Sequence, residues 1–204
     1  MLEKLAKQTA VYGISTIAVR FLSYLLTPVF TRVFEPEAYG IVTDVYALIP
    51  FALVVLTMGL ESAYFRFAAK ADAAAAAAGG TEGEIAARAR AGKRRLFATA
   101  WGVTLLAASL FFLLTAFGRE RVAEWMGEAY VAHPEYVLLV AAVVWFDVAA
   151  CLPFSRLREQ GRAMTFVGIK ALGVVVNVAL AIGFAPAGLY GSPFGVGWVF
   201  VANL

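Results

Sequence analysis

Cysteine, histidine and charge are all scarce in this 204-residue chain. The single cysteine, Cys151, lies inside a hydrophobic run, which excludes an intrachain disulfide and any metal site built on several thiolates. The single histidine, His133, stands beside Pro134 in a polar stretch and reads as an ordinary loop residue. Charged residues make up 15% of the chain, against about 25% in soluble domains. No serine or cysteine nucleophile has a histidine partner in its pattern, and no phosphate-binding glycine loop or paired-aspartate metal motif occurs. The sequence therefore carries no enzyme constellation and calls for no cofactor and no metal.

The apolar residues fill the gap. They make up 62% of the chain, where a soluble domain has about 45–50%. A globule of this length has too little interior for that much apolar surface, so lipid is the solvent the composition implies. Five runs are near or above the roughly 20 residues that cross a bilayer as a helix. They extend from about Thr9 to Thr31, Ile41 to Phe67, Leu96 to Phe117, Tyr136 to Phe154, and Ala163 to Ala185. A sixth begins near Ser192 and is still apolar at Leu204, so the sequence reads as the N-terminal piece of a longer protein. None alternates like a barrel strand, and a spanning segment must satisfy its own peptide groups, so the expected class is an all-α polytopic helix bundle. The first run is long, contains Arg20 and has no small-residue cleavage site behind a short core, so it reads as a retained anchor.

The 17 Lys and Arg residues cluster in alternate connections. Lys4 and Lys7 precede the first run, six basic residues lie from Lys70 to Arg95, and Arg156, Arg158 and Arg162 join the fourth run to the fifth. In the intervening connections Glu35 and Glu37 outweigh Arg32, and Glu120, Glu124, Glu128 and Glu135 outweigh Arg119 and Arg121. This asymmetry predicts a cytoplasmic N-terminus and argues against a nucleic-acid partner. The alanine run Ala73 to Ala78 with Gly79, Gly80 and Gly83 reads as a flexible cytoplasmic loop over 70–95, its alanines at most fluctuating helix. Val122, Trp125, Met126, Ala129 and Tyr130 recur at helical spacing, which fits a short interfacial helix or a plain connecting loop.

Ionisable groups inside spans face a bundle interior, a hydrated cavity or one another. Four qualify: Arg20, Glu61, Asp147 and Lys170. Arg20 lies at mid-depth on a stripe of Thr9, Gly13, Thr16, Ser23, Thr27 and Thr31 flanked by Tyr24. That stripe reads as a cavity lining, with close helix packing as its alternative. In the second run Thr43, Tyr46, Pro50, Thr57, Glu61 and Tyr64 share a face, with Pro50 expected to bend the helix. In the fifth, Phe166, Lys170, Gly173, Asn177 and Ala181 align. Asp147 has Arg20 and Lys170 as candidate partners.

Three stretches resemble a known family, the polysaccharide (O-antigen type) flippases of the multidrug, oligosaccharidyl-lipid and polysaccharide exporter superfamily. They are 34–40 (FEPEAYG), 59–67 (GLESAYFRF) and 153–163 (PFSRLREQGRA), taken together with the first run from Tyr12 to Val33. The resemblance implies two six-helix lobes around a central cavity, of which this chain is the first lobe. It also implies passage of a lipid-linked oligosaccharide across the cell inner membrane by alternating access, for surface polysaccharides such as lipopolysaccharide. The implied partners are that lipid-linked oligosaccharide, membrane lipids, and the glycosyltransferases and polymerase of the same pathway. Arg20 is the implied contact for the pyrophosphate, with Lys170 second. Two alternatives stay open: a multidrug or organic-cation antiporter of the same fold, which Glu61 and Asp147 favour, and a non-transporting membrane subunit of a polysaccharide assembly complex.

The charge asymmetry is directly testable. With Cys151 replaced, a membrane-impermeant thiol reagent added outside intact cells is expected to label Trp125→Cys and not Ala78→Cys; the opposite labelling overturns the topology.

Overall fold

The computed structural model describes Ile17 and residues 27–204, and among these every regular element is helical. In chain order the helices are α1 (Thr27–Val33), α2 (Pro36–Thr57), α3 (Leu60–Ala77), α4 (Glu82–Phe117), α5 (Arg119–Met126), α6 (Glu128–Val131), α7 (Glu135–Glu159), α8 (Ala163–Phe184) and α9 (Gly197–Asn203). A 3-10 turn, Leu189–Gly191, precedes α9. Four continuous segments are long and apolar enough to cross a membrane: Pro36–Ala77, Glu82–Phe117, Glu135–Glu159 and Ala163–Phe184. The all-α polytopic bundle expected from composition is the observed architecture. Most of the first run lies outside the described residues, and the sixth is represented by α9.

Helix α7 is the hub, packing against α2, α3, α4, α5, α8 and α9. A third of its most apolar stretch is buried (33%), whereas the corresponding figure for α8 is 6%. Val143, Val144, Val148 and Leu152 of α7 are each almost fully enclosed. Against them α4 presents Ala100, Thr104 and Ala108, spaced four apart on one face and all buried. Small residues at that spacing let two helix backbones approach closely, which is how helices associate where lipid removes the hydrophobic drive. Two indoles lock the contact: Trp101 donates to the Ala149 carbonyl at 2.9 Å and Trp145 to the Ser109 hydroxyl at 3.1 Å. The Thr104 hydroxyl spends its donor on the Ala100 carbonyl, 2.8 Å away.

The second expected span is two helices. Helix α2 runs without interruption through Pro50, and the break falls instead at Met58 (φ 48°) and Gly59 (φ 67°), two successive left-handed residues. The break lies eight residues beyond Pro50, and Gly59 takes the left-handed conformation there at no steric cost. Met58 pays for it with about 1 kcal/mol of backbone strain.

Residues 70–95 are helical rather than a loop. Helix α3 continues through the alanines to Ala77, and after a turn at 78–81 α4 begins at Glu82. Alanine has the highest helix propensity of any residue. The restart is fixed by a capping box, the Thr81 hydroxyl accepting from the Glu84 amide at 3.4 Å and the Glu84 carboxylate from the Thr81 amide at 3.0 Å. Arg88 adds a 2.7 Å hydrogen bond to the Gly79 carbonyl. At 36 residues, α4 is about 54 Å long and outreaches a ~30 Å hydrocarbon core. Lys93, on the part that projects, reaches Asp72 of α3 and Glu159 of α7, each at 2.7 Å, and so ties three helices at that end.

At the opposite end the connection from α4 to α7 folds as α5 and α6, which selects the helical reading of that stretch. Ala123 and Tyr130 are buried, Val122 and Met126 pack on the main core, and Trp125 stays 79% exposed.

Thr81→Ala removes half of the capping box. It is expected to cost about 1 kcal/mol locally, raising amide exchange at the start of α4 roughly fivefold while leaving α7 unchanged; hydrogen–deuterium exchange of the purified protein measures this.

Candidate functional site

Two clusters of polar groups lie between apolar helices among the described residues, on either side of the Met58–Gly59 break. The first is a cavity of about 450 Å³ lined by Thr27 and Phe30 of α1, Tyr39, Val42, Thr43, Tyr46 and Ala47 of α2, Asn177 of α8 and Asn203 of α9. Its polarity follows from local sequence. Val42, Val45 and Ile49 turn one face of α2 into the core, which leaves Tyr39, Thr43 and Tyr46 on the adjoining face, spaced by three and four residues. Thr43 satisfies its own hydroxyl through the Gly40 carbonyl at 2.8 Å. Asn177 donates to the Ala202 carbonyl at 2.9 Å and to the Asn203 side-chain oxygen at 3.4 Å, so α8 is pinned to α9 at the cavity wall.

The second cluster surrounds Glu61, in the first turn of α3, where the positive end of the helix dipole favours a carboxylate. Glu61 forms an ion pair with Arg158 near the C-terminal end of α7 and accepts a weak 3.6 Å contact from the Cys151 thiol. Arg158 also reaches the Ser155 hydroxyl at 3.3 Å and lies 5.7 Å from the Phe65 and Phe166 ring centres. Its Nε is buried without a hydrogen-bond partner among the described residues, as is the Tyr64 hydroxyl. The pair is therefore incompletely satisfied and less costly to open than a closed network.

The expected site residues divide accordingly. Thr27 and Asn177 share the cavity. Glu61 is elsewhere, because two left-handed residues reset the helix phase after Thr57 and break the single face expected from Thr43 to Tyr64. Tyr64 packs with Ala100 and Leu152 in a separate small core. Asp147 and Lys170 lie within electrostatic reach of each other, but no ion pair within 4 Å joins them, and the Lys170 ammonium sits 4.4 Å from the centre of the Phe154 ring. Arg20, Thr16, Ser23 and Tyr24 lie outside the described residues.

Arg158 stands in sequence among the topology-setting basic residues and Cys151 inside a hydrophobic run, yet both touch Glu61. The available signal was Glu61 itself, since an intramembrane carboxylate demands a partner. No group of three or more metal-ligating side chains occurs among the described residues.

Long apolar helices, a polar cavity between them and intramembrane charge define a multi-pass membrane protein of transporter type. Residues 5–196 match the family described as polysaccharide biosynthesis protein, and the chain belongs to that family. No curated protein and no solved structure matches the chain.

Glu61 and Arg158 remain about a third exposed (38% and 35% of each side chain), so their coupling belongs between surface and buried pairs, at about 1 kcal/mol. Glu61→Gln and Arg158→Gln are each expected to lower the thermal midpoint of the purified protein, and the double variant to lose less than the two losses summed.

Proposed function

We propose that the chain forms the first lobe of a flippase of the multidrug, oligosaccharidyl-lipid and polysaccharide exporter superfamily. It carries lipid-linked oligosaccharide, a polyprenyl-pyrophosphate sugar, across the cell inner membrane for surface polysaccharide biosynthesis, its N-terminus cytoplasmic. The observation that supports this reading is a polar, hydroxyl- and amide-lined cavity between membrane helices in a chain of the polysaccharide biosynthesis family. Tyr, Thr and Asn side chains offer neutral donors and acceptors, the chemistry that recognises sugar hydroxyls without binding them tightly. The pyrophosphate needs a cation, and Arg20, which the sequence spacing aligns with the cavity residue Thr27, supplies it, with Lys170 second. The two lobes then rock about the loaded site to expose it alternately to either side. The antiporter reading needs a carboxylate free to exchange a cation for a proton; Glu61 is held by Arg158, which leaves that reading to Asp147.

Guanidinium grips phosphate with a bidentate fork that an ammonium lacks. In the full-length protein, Arg20→Ala is therefore expected to abolish surface polysaccharide in a strain lacking the native gene, and Arg20→Lys to restore part of it at equal membrane-inserted protein. Normal export by Arg20→Ala removes the phosphate role.

A further inference from the structure

Helices α2, α4 and α7 leave a slot between them that the polar cavity does not use. It encloses about 450 Å³ and is lined almost wholly by hydrocarbon, including Ala52, Val55 and Leu56 of α2, Phe111 of α4 and Val140 and Val144 of α7, with Trp125 and Met126 of α5 across its end. A second hollow of about 330 Å³ shares Leu48, Trp125 and Met126 with the slot and adds Asp44 and Tyr130. The two adjoin across these three residues and together make a depression that is apolar along its length and polar at its mouth. Along α2 the slot runs from Leu48 to Leu56, eight residues or about 12 Å of helix, against about 15 Å for half of a hydrocarbon core.

The mouth has a definite electrostatic character. Tyr130 donates to the Ile41 carbonyl at 3.4 Å, and burial together with the Asp44 charge pushes its hydroxyl up to about 12. It therefore stays neutral, and Asp44 is the one charge lining the mouth among the described residues. Asp44 has no ion pair among the described residues. Trp125 is exposed at this end, where an indole is at home between hydrocarbon and headgroups, and its N–H, which has no hydrogen-bond partner among the described residues, can donate to a phosphate oxygen.

We infer that this depression is a binding site for a glycerophospholipid with a primary-ammonium headgroup, one acyl chain occupying the slot and the ammonium hydrogen-bonded to Asp44. Slot length selects a single leaflet's chain, and the unpaired carboxylate selects a cationic donor over an anionic or hydroxylated head. Because it involves neither Arg20 nor the polar cavity, the site stands independently of the transport mechanism.

Native mass spectrometry of the purified chain, with phosphatidylethanolamine and phosphatidylglycerol of identical palmitoyl and oleoyl chains added in equal amounts, tests it. The expected result is retention of phosphatidylethanolamine over phosphatidylglycerol by about tenfold, the factor one charge-assisted hydrogen bond supplies. Asp44→Asn, isosteric and at an exposed position, should abolish that preference while both lipids still bind. Val55→Trp, at a rim position 71% exposed, should reduce retention of both by obstructing the slot. Equal retention of the two lipids by the unaltered chain, a preference that survives Asp44→Asn, or no retained phospholipid at all, as when another part of the protein fills the slot, overturns the inference.

Discussion

Hydrocarbon offers a peptide group no hydrogen-bond partner, and the architecture of this protein follows from that constraint. Every spanning segment closes its backbone bonds within itself, so what remains to hold the helices together is side-chain packing and a small number of polar contacts. The hub position of α7 expresses this. Its valines and Leu152 meet the alanines and Thr104 of α4, and the indoles of Trp101 and Trp145 spend their donors across the same interface. Even the break in the second span obeys the rule. The Met58 amide still reaches the Val54 carbonyl at 3.2 Å, and the Ala63 amide the Gly59 carbonyl at 3.1 Å, so the chain turns with little loss of backbone bonding.

Charge is managed by position. Lys93, Asp72 and Glu159 join three helices on the part of the bundle that outreaches the apolar spans, where water lowers the cost of each ion. Within the spans the charges are handled differently. Glu61 takes Arg158 and a helix N-terminus, Lys170 rests on the Phe154 ring, and the cavity between α1, α2, α8 and α9 is polar without a charged lining residue among those described. Neutral hydroxyls and amides can line a cavity in the membrane without the desolvation penalty of an ion, which makes them suitable surfaces for a large, hydrated passenger.

Sequence patterns made the helical class, four of the spans and much of the cavity face of α2 legible, because run length and a three-to-four spacing are local properties. Thr43 and Tyr46 lie on the face that this spacing marks, and Thr27 and Asn177 line the same cavity. The hairpin over 70–95 is hidden by low complexity, and what reveals it is alanine's helix propensity together with the Thr81–Glu84 capping box. The pairing of Glu61 with Arg158 was missed because the two are 97 residues apart, and no local pattern reports a distance of that kind.

Composition and periodicity alone therefore determined that this chain lives in lipid, that it is helical, and which residues are unusual there, since each follows from the free energy of one segment in one solvent. Only the tertiary structure decided which unusual residues meet. Left-handed residues at Met58 and Gly59 separate α3 from α2, and Glu61 meets Arg158 while Tyr46 lines the cavity that Asn177 also lines. A helix phase reset by a few dihedral angles moves every side chain beyond it, and run length and periodicity carry no record of those angles.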